Sequence, residues 1–333
     1  LVVNDTATTE IYTLSLHDAL PSGHFAGGEP TVRRDLEELV AGAAAAGLYV
    51  NLITSGVLLD ADRLARLKEA GLEHVQLSFQ DSEPEGADRI GGYAGGHEKK
   101  LAVAALVRDA GLPLTANFVV HRQNVHHLEA MLDLAVAIGA HRAEIANVQY
   151  YGWALRNRAA LMPSRAQLDA MTATVEAARA RLKGVLVIDY VVPDYYASRP
   201  KSCMGGWGRR FLNISPSGKV LPCHAAETIP GLEFDNVRQR PLADIWRSSA
   251  AFNRFRGTGW MPEPCRSCDR REIDWGGCRC QAFAVTGDAA LTDPACALSA
   301  DHARLVDIAA SEAARELGDF VYRGFRAARD PRT

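Results

Sequence analysis

Short apolar runs alternate with longer amphipathic segments between Gly23 and about Val192. The short runs predict strands, and the longer segments, most of which finish at a glycine, predict helices. A chain that alternates strand with helix predicts a parallel sheet, either a (β/α) barrel or a doubly wound sheet. Because the strands read as near-continuous apolar runs, we expect both faces of the sheet to be buried. The predicted strands are HFAG, LYVNLITSG, HVQLSFQ, PLTANFVV, AEIANVQYYG and VLVIDYVV.

Polar loops follow five of these strands. Their sequences are GGEP, TSG, SFQDSEPEG, HRQN and NVQYYGW. In barrels and in doubly wound sheets alike, the chemistry gathers at the carboxyl ends of the strands. A single loop of this kind is ordinary turn composition, whereas five on one edge of a sheet predict a ligand site.

The pattern changes after Pro193, and we place a domain boundary near Pro200. The string FLNISPSGKVLPC predicts a β-hairpin that turns at SPSG, and DHARLVDIAASEAARELG predicts a closing helix. The sequence therefore predicts an α/β domain over residues 23–199, a small irregular domain over 200–300, and a C-terminal helix and tail over 301–333.

Residues 1–22 do not follow either pattern. They offer no strand at the proper spacing before HFAGGEP, and the stretch YTLSLHDALP resembles translated sequencing-adapter read-through. We interpret this segment as an aberrant leader; the alternative is a genuine short N-terminal helix.

The composition narrows the class of protein. The 333 residues are 47% hydrophobic and 23% charged, and the formal net charge is −3. These values are typical of a soluble globular protein and give no reason to expect a nucleic-acid or membrane partner. No apolar run approaches the ~18 residues that would span a bilayer, and the start lacks a signal-peptide pattern, so we expect a cytoplasmic location.

Seven cysteines all lie after residue 202. Their odd number, and the lack of any sign of an oxidising compartment, favour metal binding over disulfides or over buried cysteines without a metal. Seven thiolates and the carboxylate of Asp274 could supply two sites of four ligands each. Zinc and iron–sulfur clusters both accept such ligands, and the spacing does not separate them. The cysteines are Cys203, Cys223, Cys265, Cys268, Cys278, Cys280 and Cys296.

The order of these residues resembles a known domain. The string is Cys203–x14–Gly218–x4–Cys223, then Cys265–x2–Cys268–x5–Asp274–x3–Cys278, then Cys296. It resembles the SPASM domain of radical S-adenosylmethionine (SAM) enzymes, which holds two auxiliary iron–sulfur clusters. GGEP, over 27–30, resembles the motif of the same enzymes that cradles the methionine amino group of SAM. The resemblance implies a partial (β/α) TIM-like barrel of the radical SAM type, followed by a small irregular SPASM domain and a C-terminal helix.

Longer strings are similar to one group within this family, the peptide cyclases of pyrroloquinoline quinone biosynthesis. They include VQLSFQDSEPEGADRIGG, QYYGWALRNRAALMP and GTGWMPEPCRSCDRREIDWGGCRCQAFAVTGDA, and the similarity runs from about His24 to the C-terminal region. Most SPASM proteins carry cysteine where this chain carries Asp274, and an aspartate there distinguishes the peptide cyclases.

The resemblance implies two sets of cluster ligands. Cys265, Cys268, Asp274 and Cys296 would hold one auxiliary cluster. The other would be held by Cys203, Cys223, Cys278 and Cys280. Without the resemblance, Asp274 would be taken for an exposed acid in the charged run DRREID.

The resemblance also implies contacts to SAM and to a peptide, although no catalytic residue is assigned. Gly27, Gly28, Glu29 and Pro30 would hold the methionine part of SAM, with the Glu29 carboxylate taking the ammonium. Four polar residues at strand ends are weaker candidates for its ribose or carboxylate: Ser55, Ser78, Gln80 and Asn117. Four more could line the peptide channel: His121, Tyr150, Tyr151 and Trp153.

The implied reaction is radical peptide cyclisation. A reduced [4Fe–4S] cluster cleaves SAM into methionine and a 5′-deoxyadenosyl radical, which takes a hydrogen from a glutamate side chain of the precursor peptide PqqA. The glutamate carbon radical then bonds to a tyrosine ring of the same peptide. The ring loses an electron and a proton, and an auxiliary cluster could accept the electron. The implied partners are PqqA, its peptide chaperone PqqD, and a reducing flavoprotein or ferredoxin.

The chain departs from the family pattern at its start. Radical SAM enzymes bind the catalytic cluster through CxxxCxxC ahead of GGEP, and no cysteine precedes Cys203. We therefore expect a truncated barrel with an exposed edge, and no activity from this sequence by itself. Two alternatives stay open: another SPASM maturase, such as a sulfatase-maturing enzyme, and a non-catalytic protein stabilised by zinc.

Overall fold

The computed structural model of the protein describes residues 14–17 and 19–322. Its main feature is a seven-stranded sheet with the strands in chain order, in which β1 is antiparallel to β2 and the strands β2 to β7 are parallel. The strands are β1 (Leu14–His17), β2 (Ala19–Phe25), β3 (Tyr49–Thr54), β4 (His74–Phe79), β5 (Leu114–Val120), β6 (Arg142–Asn147) and β7 (Val187–Val191).

Helices connect the parallel strands and pack on one face of the sheet. They are α1 (Leu36–Ala45), α2 (Ala61–Glu69), α3 (Pro84–Gly91), α4 (Gly96–Asp109), α5 (Leu128–Ala137), α6 (Gly152–Arg156), α7 (Arg158–Leu161) and α8 (Arg165–Arg181). Six parallel strands joined by helices, with β1 and β7 as the edges of the described sheet, form a partial barrel. The predicted α/β class is confirmed.

Local sequence explains where these helices begin. At α8, the Ser164 hydroxyl accepts from the Gln167 N–H (3.1 Å), and the Gln167 side chain accepts from the Ser164 N–H (2.9 Å), which is a capping box. At α2, the Asp60 carboxylate accepts from the Arg63 N–H (2.8 Å). Each cap supplies an acceptor to a helix N–H that has no partner within its own helix.

The first parallel strand begins earlier than the sequence predicted. HFAG was the expected strand, with 1–22 outside the fold, whereas β2 runs over Ala19–Phe25 and pairs with β1 inside that segment. The rest of the predicted leader, residues 1–13 and 18, lies outside the described residues.

The two faces of the sheet differ in polarity, and both carry buried residues, as expected. The face toward the helices is apolar and includes Leu52, Leu77 and Phe118, each at most 1% exposed. The other face carries a polar row that runs across the paired strands: His24, Asn51, His74, Gln76, Ser78, Thr115, Asn117 and Glu144. Strict alternation along each strand therefore places polar groups on the inner face of the partial barrel.

The second half begins with a short hairpin, as predicted. Strands β8 (Asn213–Ile214) and β9 (Val220–Leu221) pair antiparallel, and Gly218, at φ 86°, donates its N–H to the Ser215 carbonyl (2.8 Å) in the turn. Five helices follow: α9 (Leu242–Ser248), α10 (Ala250–Asn253), α11 (Arg271–Asp274), α12 (Arg279–Thr286) and α13 (His302–Ala314).

The predicted closing helix is confirmed as α13, which packs on the barrel. Its Leu305 and Ala309 share a buried cluster with Tyr150 and Tyr195 from the first half of the chain. A separate cluster in the second half surrounds Cys223 and Cys280. Across the described residues, no helix combines the length and the apolar character needed to cross a membrane.

Leu52→Ala tests the helix-facing core. We expect it to lower the free energy of unfolding by about 2–5 kcal/mol, because a fully buried leucine leaves a cavity. Leu58→Ala is the matched control, since Leu58 is 50% exposed, and it should change the value by less than about 1 kcal/mol. Urea denaturation measures both variants, and equal losses would show that Leu52 does not support the core.

Candidate functional site

The loop after β2 carries the GGEP motif at the carboxyl edge of the sheet. Gly27 and Gly28 have φ angles of 82° and 46°, a region that residues with a Cβ rarely occupy. Pro30 begins a 3₁₀ turn over Pro30–Val32, and Glu29 caps this turn by accepting from the Thr31 N–H (3.0 Å). The two glycines therefore leave a stretch of bare backbone that a ligand can approach closely.

The Glu29 carboxylate joins this loop to the end of β3. Its Oε1 also accepts from the hydroxyls of Thr31 (2.6 Å) and Thr54 (2.5 Å). Its Oε2 accepts from the N–H (2.8 Å) and the hydroxyl of Ser55. Burial by itself raises the pKa of Glu29, but the hydrogen bonds from Ser55, Thr31 and Thr54 outweigh burial and leave the pKa lowered. These hydrogen bonds occupy the lone pairs of both carboxylate oxygens. In this structure Glu29 therefore positions the GGEP loop against the end of β3. Its predicted contact with the ammonium of SAM stays a prediction.

A buried lysine that the sequence did not identify lies beside this network. Lys100, in α4, is 6% exposed, and its ammonium donates to the side-chain carbonyl of Gln80 at the end of β4. Burial lowers the pKa of Lys100 to about 8, although the charges of Glu29 and Asp88 oppose the shift. The run HEKK is typical of an exposed helix face, and only the packing of α4 shows which lysine is buried.

The remaining predicted SAM contacts lie on the polar inner face or at its edge. Ser78 and Asn117 are register partners on β4 and β5. Asn117 donates to Glu144 Oε2 (3.3 Å), while its own side-chain oxygen is buried without a partner among the described residues, as is that of Asn51. Because unpaired buried acceptors are costly, this face fits a polar ligand with several donors, such as SAM.

Glu144, on β6, is a half-buried carboxyl group on this face. Its Oε2 also accepts from Gln76 Nε2 (2.9 Å). Burial raises the pKa of Glu144, and the hydrogen bond from Gln76 only partly opposes the shift. The inner face therefore contains a carboxyl group that is harder to ionise than an exposed one.

Four cysteines from distant parts of the second half meet in one group. The Cys223 sulfur lies 3.9 Å from the sulfur of Cys203 and 3.9 Å from that of Cys280. Cys278 completes the group by hydrogen bonding to Cys203 and Cys280. The 3₁₀ turn at Cys203, the end of the hairpin and the start of α12 therefore bring together the four thiols that the resemblance assigns to one cluster.

The hydrogen bonds in this group divide the four thiols into two kinds. Hydrogen bonds with Cys203 and Cys280 lower the pKa of Cys223 and Cys278. The same bonds raise the pKa of Cys203 and Cys280. A lowered pKa favours the thiolate, the form of cysteine that binds a metal.

The other predicted ligand set lines one small cavity. Cys265, Cys268, Asp274 and Cys296 all face it, and Asp274 is 8% exposed rather than a surface acid. The Asp274 carboxylate accepts from the Gly276 N–H (3.1 Å) and lies 3.8 Å from the Arg270 guanidinium. Burial raises the pKa of Cys265, while Thr292 and Arg279 oppose the shift.

Within the described ranges, no three His, Cys, Asp or Glu side chains are arranged around a single metal ion. The two groups of residues fit iron–sulfur clusters through the chemistry of their donor atoms. One group offers four thiols, the other three thiols and a carboxylate, and such clusters take thiolate ligands.

A fully buried arginine that the sequence did not identify lies between the two groups. Arg279 is 1% exposed, and its guanidinium donates to the carbonyls of Ala289 (2.8 Å), Leu291 (2.7 Å) and Gly276. It stacks on Trp260, 4.6 Å from the ring centroid. Its charge acts on Cys278 in one group and on Cys265 in the other, lowering the pKa of each thiol.

The residues predicted to line the peptide channel fall in three places. Tyr150 is 5% exposed and packs on Tyr195 with ring centroids 4.9 Å apart, so it lies in a buried cluster, and its place in a peptide channel stays a prediction. Tyr151 packs on the cluster around the four cysteines. His121 and Trp153 both contact the segment that follows α13.

The pKa of Lys100 predicts a pH-dependent stability. Between about pH 8 and pH 10.5 the unfolded chain holds a proton on Lys100 that the folded chain has released, so the free energy of unfolding should rise with pH by about 3 kcal/mol. Lys100→Met should abolish this rise. The exposed neighbour provides the control: Lys99→Met should keep it. Urea titrations across this pH range give the result, and an unchanged slope in Lys100→Met would contradict the assignment.

Arg279→Gln should lower the free energy of unfolding by about 3 kcal/mol, because it removes donors from buried carbonyls. Arg247→Gln is the control in the same half of the chain, since the Arg247 side chain is 75% exposed. Urea denaturation compares them, and similar stability of the two variants would show that Arg279 does not hold this region together.

Both halves of the chain match known protein families. Residues 12–135 match the family model of the radical SAM superfamily, and residues 203–269 match that of an iron–sulfur cluster-binding domain, SPASM. Among solved structures, SuiB of Streptococcus suis bound to S-adenosylmethionine is similar, with a TM-score of 0.67 and 18% identity over 81% of this chain and 64% of that chain. That likeness shows a common fold.

Two curated relatives are much closer in sequence. The PqqA peptide cyclase of Granulibacter bethesdensis is 65% identical over 300 residues, which are 90% of this chain and 80% of the relative. The PqqA peptide cyclase of Rhodopseudomonas palustris is 66% identical over 303 residues, 91% and 80% respectively. The chain therefore belongs to the PqqA peptide cyclase family of radical SAM proteins.

Proposed function

We propose that the chain is a radical SAM peptide cyclase of pyrroloquinoline quinone biosynthesis, which joins a glutamate and a tyrosine of the precursor peptide PqqA through a carbon–carbon bond. The observation that carries the proposal is identity of 65–66% to proteins named PqqA peptide cyclase, over four fifths of their length. The sites support it, because a glycine loop, a polar inner face and eight cluster donors occur on one chain.

The cofactor residues have distinct tasks in this proposal. The backbone of Gly27 and Gly28 receives the methionine part of SAM, and Glu29 holds the loop in place through Thr54 and Ser55. SAM, when bound, supplies the radical chemistry. Ser78, Gln80 and Asn117 are proposed to hold its remaining polar groups, and Pro30 sets the turn that ends the loop.

The two cysteine groups are proposed as the ligands of two auxiliary iron–sulfur clusters. One set is Cys203, Cys223, Cys278 and Cys280, and the other is Cys265, Cys268, Asp274 and Cys296. The clusters, when present, supply electron transfer. A carboxylate oxygen is a harder ligand than sulfur, so Asp274 would change the potential of its cluster or allow ligand exchange. Residues 1–202 contain no cysteine, so no residue of this sequence is assigned to a third, SAM-cleaving cluster.

We also propose the finer partners that the family resemblance implies. PqqA is the substrate, the chaperone PqqD delivers it, and a flavoprotein or ferredoxin provides electrons in the cytoplasm. A different SPASM maturase is not favoured, because the chain shares 65–66% identity with the PqqA peptide cyclases. Metal analysis distinguishes a protein stabilised by zinc from one that holds iron–sulfur clusters.

Iron, sulfide and zinc analysis after anaerobic reconstitution tests the proposed clusters. The protein should be brown and contain iron and sulfide. Asp274→Ala should lower its iron content or change its electron paramagnetic resonance spectrum, because the cavity loses one of its four donors. Glu272→Ala is the control, since this acid lies in the same short helix as Asp274 but is 65% exposed and does not line the cavity, and it should leave both measurements unchanged.

A colourless protein with zinc and no iron would reject the clusters and support the zinc alternative. Equal effects of the two substitutions would reject Asp274 as a ligand while leaving the thiol sets in place.

A further inference from the structure

The chain crosses the carboxyl edge of the sheet after α13 ends. The Arg315 carbonyl accepts from Arg122, in the loop after β5 (3.1 Å). Farther along, the Tyr322 hydroxyl donates to the Arg89 carbonyl in α3, and a Cβ placed on Gly92 would lie 3.4 Å from the Tyr322 ring. We call residues 315–322 the C-terminal strap.

Two side chains after β6 hold the main chain of the strap. The Val321 N–H donates to Asn157 Oδ1 (2.7 Å), and the Val321 carbonyl accepts from Asn157 Nδ2 (3.1 Å) and from Trp153 Nε1 (2.8 Å). We call Trp153 and Asn157 the clamp. Because the clamp binds only the N–H and the carbonyl of one residue, its chemistry recognises an extended main chain whatever its side chain.

The strap buries little of its own apolar surface. Leu317, Val321 and Tyr322 are 59%, 54% and 51% exposed. Phe320 is the better anchored residue, with its ring 5.8 Å from the His121 ring and 5.6 Å from the Arg89 guanidinium. A segment held mainly by a few hydrogen bonds, with exposed apolar side chains, opens at low cost in free energy.

The strap ends beside the residues proposed to hold SAM. Tyr322 lies against Gly92, at the end of α3. A Cβ placed on the preceding Gly91 would lie 3.6 Å from Gln80 Oε1, the atom that accepts from Lys100. The clamp and the SAM loop are therefore on the same edge of the sheet.

His121 adds a second polar group under the strap. It is 3% exposed, and its Nε2 is buried without a partner among the described residues. Its neighbour in the strap, Phe320, offers only an aromatic ring. A different chain in this position could supply the missing partner.

We propose that the clamp is a binding site for an extended peptide main chain, that the strap occupies it in the free protein, and that the precursor peptide displaces the strap. The inference rests on the proposed function, since it takes the substrate to be a peptide. It adds a place where that peptide binds and a segment that must leave first.

Two substitutions in the chain should change peptide affinity in opposite directions. Val321→Pro removes the N–H of the strap that donates to Asn157 Oδ1. The strap then competes less for the clamp, and a synthetic PqqA peptide should bind about fivefold tighter. Asn157→Leu removes the clamp itself, and the peptide should bind about tenfold weaker. Isothermal titration calorimetry measures both.

Asp319→Pro controls for the effect of placing a proline in the strap. Among the described residues, the Asp319 N–H has no hydrogen-bond partner, so this variant should not change peptide affinity. Trp153→Phe removes one hydrogen-bond donor of the clamp and should weaken peptide binding about threefold. It replaces Asn157→Leu as the test of the clamp if that variant fails to fold. Hydrogen exchange gives a second readout: peptide addition to the wild-type protein should speed exchange of the Val321 amide.

The outcomes separate the inference from the function on which it rests. If Asn157→Leu and Val321→Pro both tighten binding, Asn157 only retains the strap, and the inference fails. It also fails if both variants bind like the wild type, because the strap then does not compete with the peptide; in either case the proposed function stands. No binding of the peptide to any variant or to the wild type overturns the proposed function and the inference together.

Discussion

Parallel pairing of β2 to β7 brings the carboxyl ends of six strands to one edge of the sheet, and the positions of the functional groups depend on this pairing. The register sets residues from different strands side by side, as with Ser78 and Asn117. Strand alternation then sends apolar side chains toward the helices and polar ones toward the inside. A slip of one residue in a strand would exchange the two faces of that strand and disrupt both the core and the polar inner face.

Buried charge is concentrated where the proposed cofactors would bind. Glu29 and Lys100 lie beside the SAM loop, and Arg279 lies between the two cysteine groups. Such groups destabilise a fold unless hydrogen bonds or opposite charges surround them. Glu29 has five donors within its own chain, whereas Arg279 has only carbonyls and an aromatic ring as direct partners. The charge of Asp293 opposes the burial of Arg279, and thiolates at Cys278 and Cys265 would add to that effect, so the folded second half is suited to charged sulfur ligands.

The sequence predicted what depends on periodicity and spacing, and it missed what depends on packing. Six strands, the hairpin turn at Gly218 and the closing helix follow from local patterns, and each is present. The cysteines were informative because few functions need seven thiols in so short a stretch. By contrast, Lys100 lies in the run HEKK, which is typical of an exposed helix face, and Arg279 lies between two predicted cluster ligands in CRC, where no local pattern marks an arginine as buried. Their burial follows from how α4 and α12 meet the rest of the chain, and no local pattern encodes that. The polar inner face was also missed, because strands such as HVQLSFQ contain enough apolar residues to look buried on both sides.

The loop and short helices after β6 connect the two halves of the proposed mechanism. Tyr151 packs on the cluster around the four cysteines, and two residues later Trp153 begins the clamp that holds the strap. Asn157, the other member of the clamp, follows within the same short segment. One short segment therefore packs against the four-cysteine group at Tyr151 and holds the strap through Trp153 and Asn157. The position of this segment links the place proposed for the peptide main chain to the proposed ligands of one cluster.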